Sequence, residues 1–237
     1  MKKLFYSLLT AAFVSVAAVC VQAAEVTSDA VVVNVSGSAK ALLPGKPDAM
    51  AIKAGDKLPQ GTVITTEDAS EVTVQVFTGT SATIKGGTTV GLEKLSLSSD
   101  NGILTKQSAM LDLKVGSVLS KLDPKKKSVN DYSVRTPKGV AAARGTIFQV
   151  DVARNGTTRA FVTTGVVTFK SGNKEVAVQP GFIVIVDENG NIGEPVKATD
   201  SQLREIAEAS EKNKEKYGST GDDVNEIDPN ITVSPGR

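Results

Sequence analysis

From Ala30 to Val186 apolar and β-branched residues come in runs of about four to six, each closed by Gly, Pro, Asn or Asp, with a turn roughly every 8 to 12 residues. This cadence predicts an all-β body of short strands. Val72-Thr73-Val74-Gln75-Val76 alternates strictly, so a strand there puts three valines on one face and Thr and Gln on the other. Phe148, Val150 and Val152 repeat the alternation, with Gln149 and Asp151 expected to face out. No stretch between residues 30 and 190 sustains a 3.6-residue period, and Gly139 to Arg144 is too short for a helix and follows Pro137. The fold class is therefore all-β: an antiparallel β-sandwich or barrel, or a β-solenoid-like stack.

Turn chemistry adds connections. Asn155-Gly156 predicts a two-residue type I′ hairpin, because both residues tolerate a positive φ. Gly172-Asn173 and Gln179-Pro180-Gly181 mark the next two turns, and the three together predict a meander. After Asp187 the composition turns polar. Residues 199–217 predict one C-terminal helix, capped by Thr199 or Asp200, with a narrow apolar stripe of Leu203, Ile206, Ala207 and Ser210. Residues 218–237 offer almost no apolar surface and are expected to be a disordered tail. Asp222, Asp223, Glu226 and Asp228 match no EF-hand spacing and read as a solvated tail rather than calcium ligands.

The N-terminus has the pattern of an export signal. Lys2 and Lys3 precede an uncharged run from Leu4 to Val21 that ends in small residues, with Val21 and Ala23 at the −3 and −1 positions of a cut. Cleavage is expected after Ala23, making residues 1–23 a signal peptide. Processing as a lipoprotein at Cys20 fits less well, because bulky Val19 stands where such signals carry a small residue. An uncleaved anchor is the third reading, since the run approaches the ~20 residues that span a bilayer.

Composition then removes most chemistries. Among 237 residues there is no His, no Trp and one Cys, Cys20, which lies inside the predicted signal. Triads built on His, His-based acid/base catalysis and nearly all catalytic zinc sites are excluded. The mature chain has no disulfide, so core packing alone must hold it. With 27 basic against 26 acidic side chains the chain lacks the basic excess that nucleic acid demands. Asp112 with Asp123, or Ser120 with Lys121, are pairings that any chain of this size offers by accident. No catalytic residue, cofactor or metal is expected. Lys125-Lys126-Lys127 reads as a solvated loop in preference to a membrane-surface or nucleic-acid patch.

One stretch is more specific. Tyr132-Ser133-Val134-Arg135-Thr136-Pro137, an Ala-rich link, then Arg144-Gly145-Thr146 and the strand Ile147-Phe148-Gln149-Val150 resembles the signature of the FecR domain. Ala54-Gly55-Asp56 with Leu58, Gly61 and Ile64-Thr65-Thr66 resembles that family's opening, and Met110 to Val118 its central segment. The resemblance covers about residues 54–152. It sets an N-terminal strand region at 24–53 before the FecR-like domain, and continuing hairpins of the same fold at 153–190.

What the resemblance implies is a location and a role in signalling. Familiar FecR proteins are inner-membrane regulators of iron-siderophore signalling, with a cytoplasmic segment that controls a sigma factor and a periplasmic region that listens to an outer-membrane transporter. The present chain looks like an exported, stand-alone form of that periplasmic region. It is expected to be a non-catalytic periplasmic or extracellular module that binds an envelope protein as a signalling or scaffold element, with Arg135 and Arg144 as candidate partner contacts. For Arg144 the competing role is to satisfy carbonyls of an irregular 137–145 link, and that role is favoured. The alternative function is a surface or polysaccharide-associated structural protein, against which stands the lack of Trp to stack on sugars.

Overall fold

The computed structural model describes residues 24–202 together with 204, 206 and 208. The predicted signal at 1–23, most of the predicted helix and the acidic tail lie outside the described residues. Eighteen strands run in chain order: β1 Ala24–Thr27, β2 Ala30–Ser36, β3 Ala39–Leu42, β4 Met50–Ala51, β5 Lys57–Leu58, β6 Val63–Thr66, β7 Glu71–Phe77, β8 Thr80–Ile84, β9 Thr89–Asp100 and β10 Ile103–Leu122, followed by β11 Asn130–Thr136, β12 Gly139–Ala143, β13 Ile147–Val152, β14 Thr158–Thr164, β15 Val167–Ser171, β16 Lys174–Val178, β17 Phe182–Val186 and β18 Val196–Lys197. The all-β expectation holds.

The strands form two sheets. In the first, β16, β15, β12, β11, the N-terminal half of β10 and β9 pair side by side, and β9 is flanked beyond by β6, β3 and β4 at one end and by β1 at the other. In the second, β18, β17, β14, β13, the C-terminal half of β10, β8, β7, β2 and β5 follow in order. Because β10 belongs to both, all strands make one continuous system around a single core. Ile64, Leu92, Leu111, Leu113, Val134 and Phe169 from the first sheet pack there with Val32, Val72, Val74, Ile84, Phe148 and Val162 from the second. The valines of 72–76 face this core, as their alternation predicts.

The 20-residue β10 crosses between sheets at Gly116, whose φ is +99°. Thr88 leaves no room for a side chain there, since a Cβ would sit 2.5 Å from its Cα. Beyond Gly116 the strand doubles back over its own first half: Ser120 Oγ meets the Tyr132 hydroxyl at 2.9 Å, and Tyr132 pairs with Ala109. A 3-10 turn at Pro124–Lys126 then has only the thickness of the sandwich to cross before β11 starts beside Gln107. That geometry makes β10–β11 the parallel pair of an otherwise antiparallel fold.

Four local expectations change. The 137–145 stretch is no irregular link: Gly139–Ala143 is a strand between β11 and β15, because its alanines and valine fit a half-buried ladder. The runs expected to form separate strands from Thr89 to Leu119 are two long strands, bent by register shifts and by Gly116 rather than ended by turns. The 147–186 segment is no meander, since β13 and β14 lie in the second sheet, β15 and β16 in the first, and β17 returns to pair with β14. At Asn155-Gly156 only Gly156 has a positive φ, +85°. Ala153 N donates to Thr157 O and Gly156 N donates to Ala153 O, both at 2.9 Å, so the hairpin is the longer turn with a glycine bulge.

Candidate functional site

Each sheet turns one face to the core and one outward. On the outer face of the first sheet, register places Gly91, Asp112, Arg135, Val140, Lys170 and Glu175 in one row across six strands. The adjacent row is Lys94, Met110, Ser133, Ala142, Thr168 and Ala177. Small side chains fill the middle of this second row and leave the arginine standing over a low, flat surface.

Arg135 is held by two carboxylates. Its Nε donates to Asp112 Oδ1 at 3.1 Å, its Nη2 lies 3.0 Å from Asp112 Oδ2, and the same Nη2 lies 2.8 Å from Glu93 Oε1. Lys114 Nζ also pairs with Asp112 Oδ2. The Asp112 side chain is only 5% exposed, whereas that of Arg135 is 40% exposed. Gly91 explains the burial, because without a side chain the neighbouring strand lets Asp112 settle against the sheet. Burial pushes the Asp112 carboxyl up, and the hydrogen bonds from Arg135 and Lys114 outweigh it, so the group lies below its ordinary value of 3.8. The hydrogen bond to Asp112 is likewise the main reason that Arg135 is raised. The arrangement is a fixed guanidinium with an exposed edge, suited to a carboxylate or carbonyl of a partner.

Arg144 is elsewhere. Arg135 pairs with Val140, and Arg144 follows four residues later, just past the end of β12, about 13 Å away at ~3.3 Å per residue. It is exposed and makes no hydrogen bond or ion pair with the described residues, so the expected bonding to link carbonyls is not formed. Gly145 beside it approaches Pro124 and Lys127, which brings Arg144 to the Lys125-Lys126-Lys127 turn at one end of the sandwich. Asp123 caps that turn by accepting from Lys125 N at 2.8 Å. Asp112 and Asp123 are thus engaged separately, in the salt bridge and in the cap. Ser120 points into the core against Tyr132 while Lys121 faces the other way, so neither accidental pairing is assembled. Sequence reading singled out Arg135 but missed that Asp112 and Glu93 hold it.

Two crystal structures, each of a candidate anti-sigma factor from Parabacteroides distasonis, align with part of the chain. The first, at 16% identity and TM-score 0.48, aligns over 60% of this chain and 62% of its own length, so the chain spans about six-tenths of it. The second, at 15% identity and TM-score 0.48, aligns over 65% of this chain and 74% of its own. No curated protein matches the chain. The family model described as FecR protein matches residues 62–168, which contain the whole of the Arg135 cluster and Arg144. From Thr62 to Thr168 the chain therefore carries a FecR domain.

Proposed function

We propose that the protein is a non-catalytic, extracytoplasmic FecR-domain module that binds a protein partner of the cell envelope through the outer face of its first sheet. A FecR domain belongs with signalling and regulatory modules and is typically extracytoplasmic. The export pattern of residues 1–23 agrees with that location, and among the described residues no helix is long and apolar enough to cross a membrane. The observation that carries the reading is Arg135, fixed by the nearly buried Asp112 and presented over a row of small residues. A preorganised arginine on a flat face loses little side-chain freedom on binding, which is what an interface anchor requires.

The test is crosslinking and capture of the tagged chain from intact envelopes, with Arg135→Glu alongside. The expected result is one recurrent protein that Arg135→Glu loses while its thermal melt stays within a few degrees of the unaltered chain. Capture that is indifferent to the substitution, or retention on purified envelope glycan in place of any protein, would overturn the reading.

A further inference from the structure

The two outer faces differ. On the second sheet, register puts Leu119, Gln149, Phe161 and Ile183 in one row across four neighbouring strands. With strands about 4.8 Å apart the row is about 14 Å long, the length of nine or ten helical residues. Leu119, Phe161 and Ile183 form a second apolar cluster, separate from the core, together with Ala198 and Ile206 and with Ile147 packed against it. Residues 200–202, 204, 206 and 208 are helical. Thr199 starts the helix by a reciprocal cap: its N donates to Gln202 Oε1 at 2.9 Å and Gln202 N donates to Thr199 Oγ1 at 3.4 Å.

This cover is pinned at its beginning. Ala198 N donates to Gly181 O at 2.8 Å, and β18 pairs with β17, so the chain is fixed where it enters the face. From there Ile206, 5% exposed, joins the apolar cluster from the helix. The row also contains an unsatisfied polar group. Gln149 is 7% exposed, its Nε2 donates to Asp151 Oδ1 at 2.8 Å, and its Oε1 accepts no hydrogen bond. A buried acceptor without a donor costs more than one left in water, which weakens the closed arrangement.

We propose that this row is a helix-binding site, occupied in cis by the helical segment that carries Ile206 and open by exchange to an amphipathic helix of the partner. The partner helix would place an aliphatic side chain where Ile206 sits, and a hydroxyl or amide donor against Gln149 Oε1. This rests on the reading of the chain as a protein-binding module and names the kind of element it binds.

The probe is a fluorescein-labelled peptide of residues 196–217 of this chain, titrated into the mature chain and followed by anisotropy. Ile206→Asp in the protein should release the cis helix and tighten peptide binding by about tenfold or more, because the tethered competitor is removed. Ile206→Ala should give an intermediate gain and keeps the comparison available if the Asp variant does not fold. The same substitution in the peptide should abolish binding, and peptide bound to the opened chain should slow amide exchange in β14 and β17. Equal binding to the unaltered and opened chains, or none to either, overturns the inference. If that happens while Arg135-dependent capture persists, only this site falls; if the peptide binds and no envelope protein is captured, the site stands and the proposed function falls.

Discussion

Asp112 decides what Arg135 can do. A carboxyl lying below its ordinary value in the folded chain takes up its proton more readily when unfolded, so the stability it contributes is complete above that value and is lost as pH falls through the folded one. The chain should therefore show flat stability from pH 7 to about 5 and a decline below about pH 4, part of which disappears in Asp112→Asn. Urea unfolding at pH 7 and pH 3 measures both effects. At pH 7 the substitution should cost about 1.5 to 3 kcal/mol, the range for a hydrogen bond to a charged partner. An acid slope unchanged by Asp112→Asn would remove the carboxylate from this role. Alternation along 130–136 is enough to place Arg135 on the face opposite Tyr132 and Val134. The partner was hidden, because Asp112 and Arg135 meet through a parallel pairing that bridges 23 residues and depends on β10 doubling back. Gln149 shows the converse: alternation puts it on the outer face correctly, yet it is buried there, in one row with Leu119 and Phe161, which pack with Ala198 and Ile206 from a segment that alternation does not link to this face.

At the scale of elements the chain depends on one corner. Gly116 combines a positive φ with a backbone approach that no Cβ could share, whereas Gly102, with φ +79°, has nothing within 4 Å. Gly102→Ala should therefore cost only the backbone term, of order 1 kcal/mol, and Gly116→Ala should cost clearly more, about 3 kcal/mol or above, because Thr88 has to move as well. Equal costs in urea unfolding would mean that the crossing tolerates a side chain and that the two sheets are less tightly joined than the geometry implies. Strand existence was legible from β-branched runs, and turn positions from Gly, Asn and Pro. The Gln179-Pro180-Gly181 turn behaves as its residues suggest, with Phe182 N donating to Gln179 O at 3.1 Å and Gly181 at φ +80°. What periodicity could not convey is which sheet each strand joins. A turn looks the same whether its strands pair with each other, as β15 and β16 do, or part company, as β16 and β17 do. A glycine likewise reads as a stop whether it ends a strand or bends it across a sandwich.

For the whole molecule, the two outer faces divide the labour: one is flat, charged and open around Arg135, the other is packed against Ala198 and Ile206. The N-terminus fits the same plan. β1 lies along the free side of β9, with Ala24 opposite Ser99 and Thr27 opposite Ser96. Glu25 fastens the start, because its Oε1 accepts from Ser96 Oγ at 2.6 Å and lies 2.8 Å from Lys94 Nζ. On the reading proposed above, a cut after Ala23 needs the chain extended and accessible around it, so cleavage is expected before β1 docks. N-terminal sequencing of the protein from an envelope fraction should accordingly read Ala24-Glu25-Val26-Thr27, and the intact mass should lack residues 1–23. A product that keeps Met1, or one that begins at a lipidated Cys20, would show instead that the chain stays tethered to a bilayer and that its open face is presented from a membrane surface.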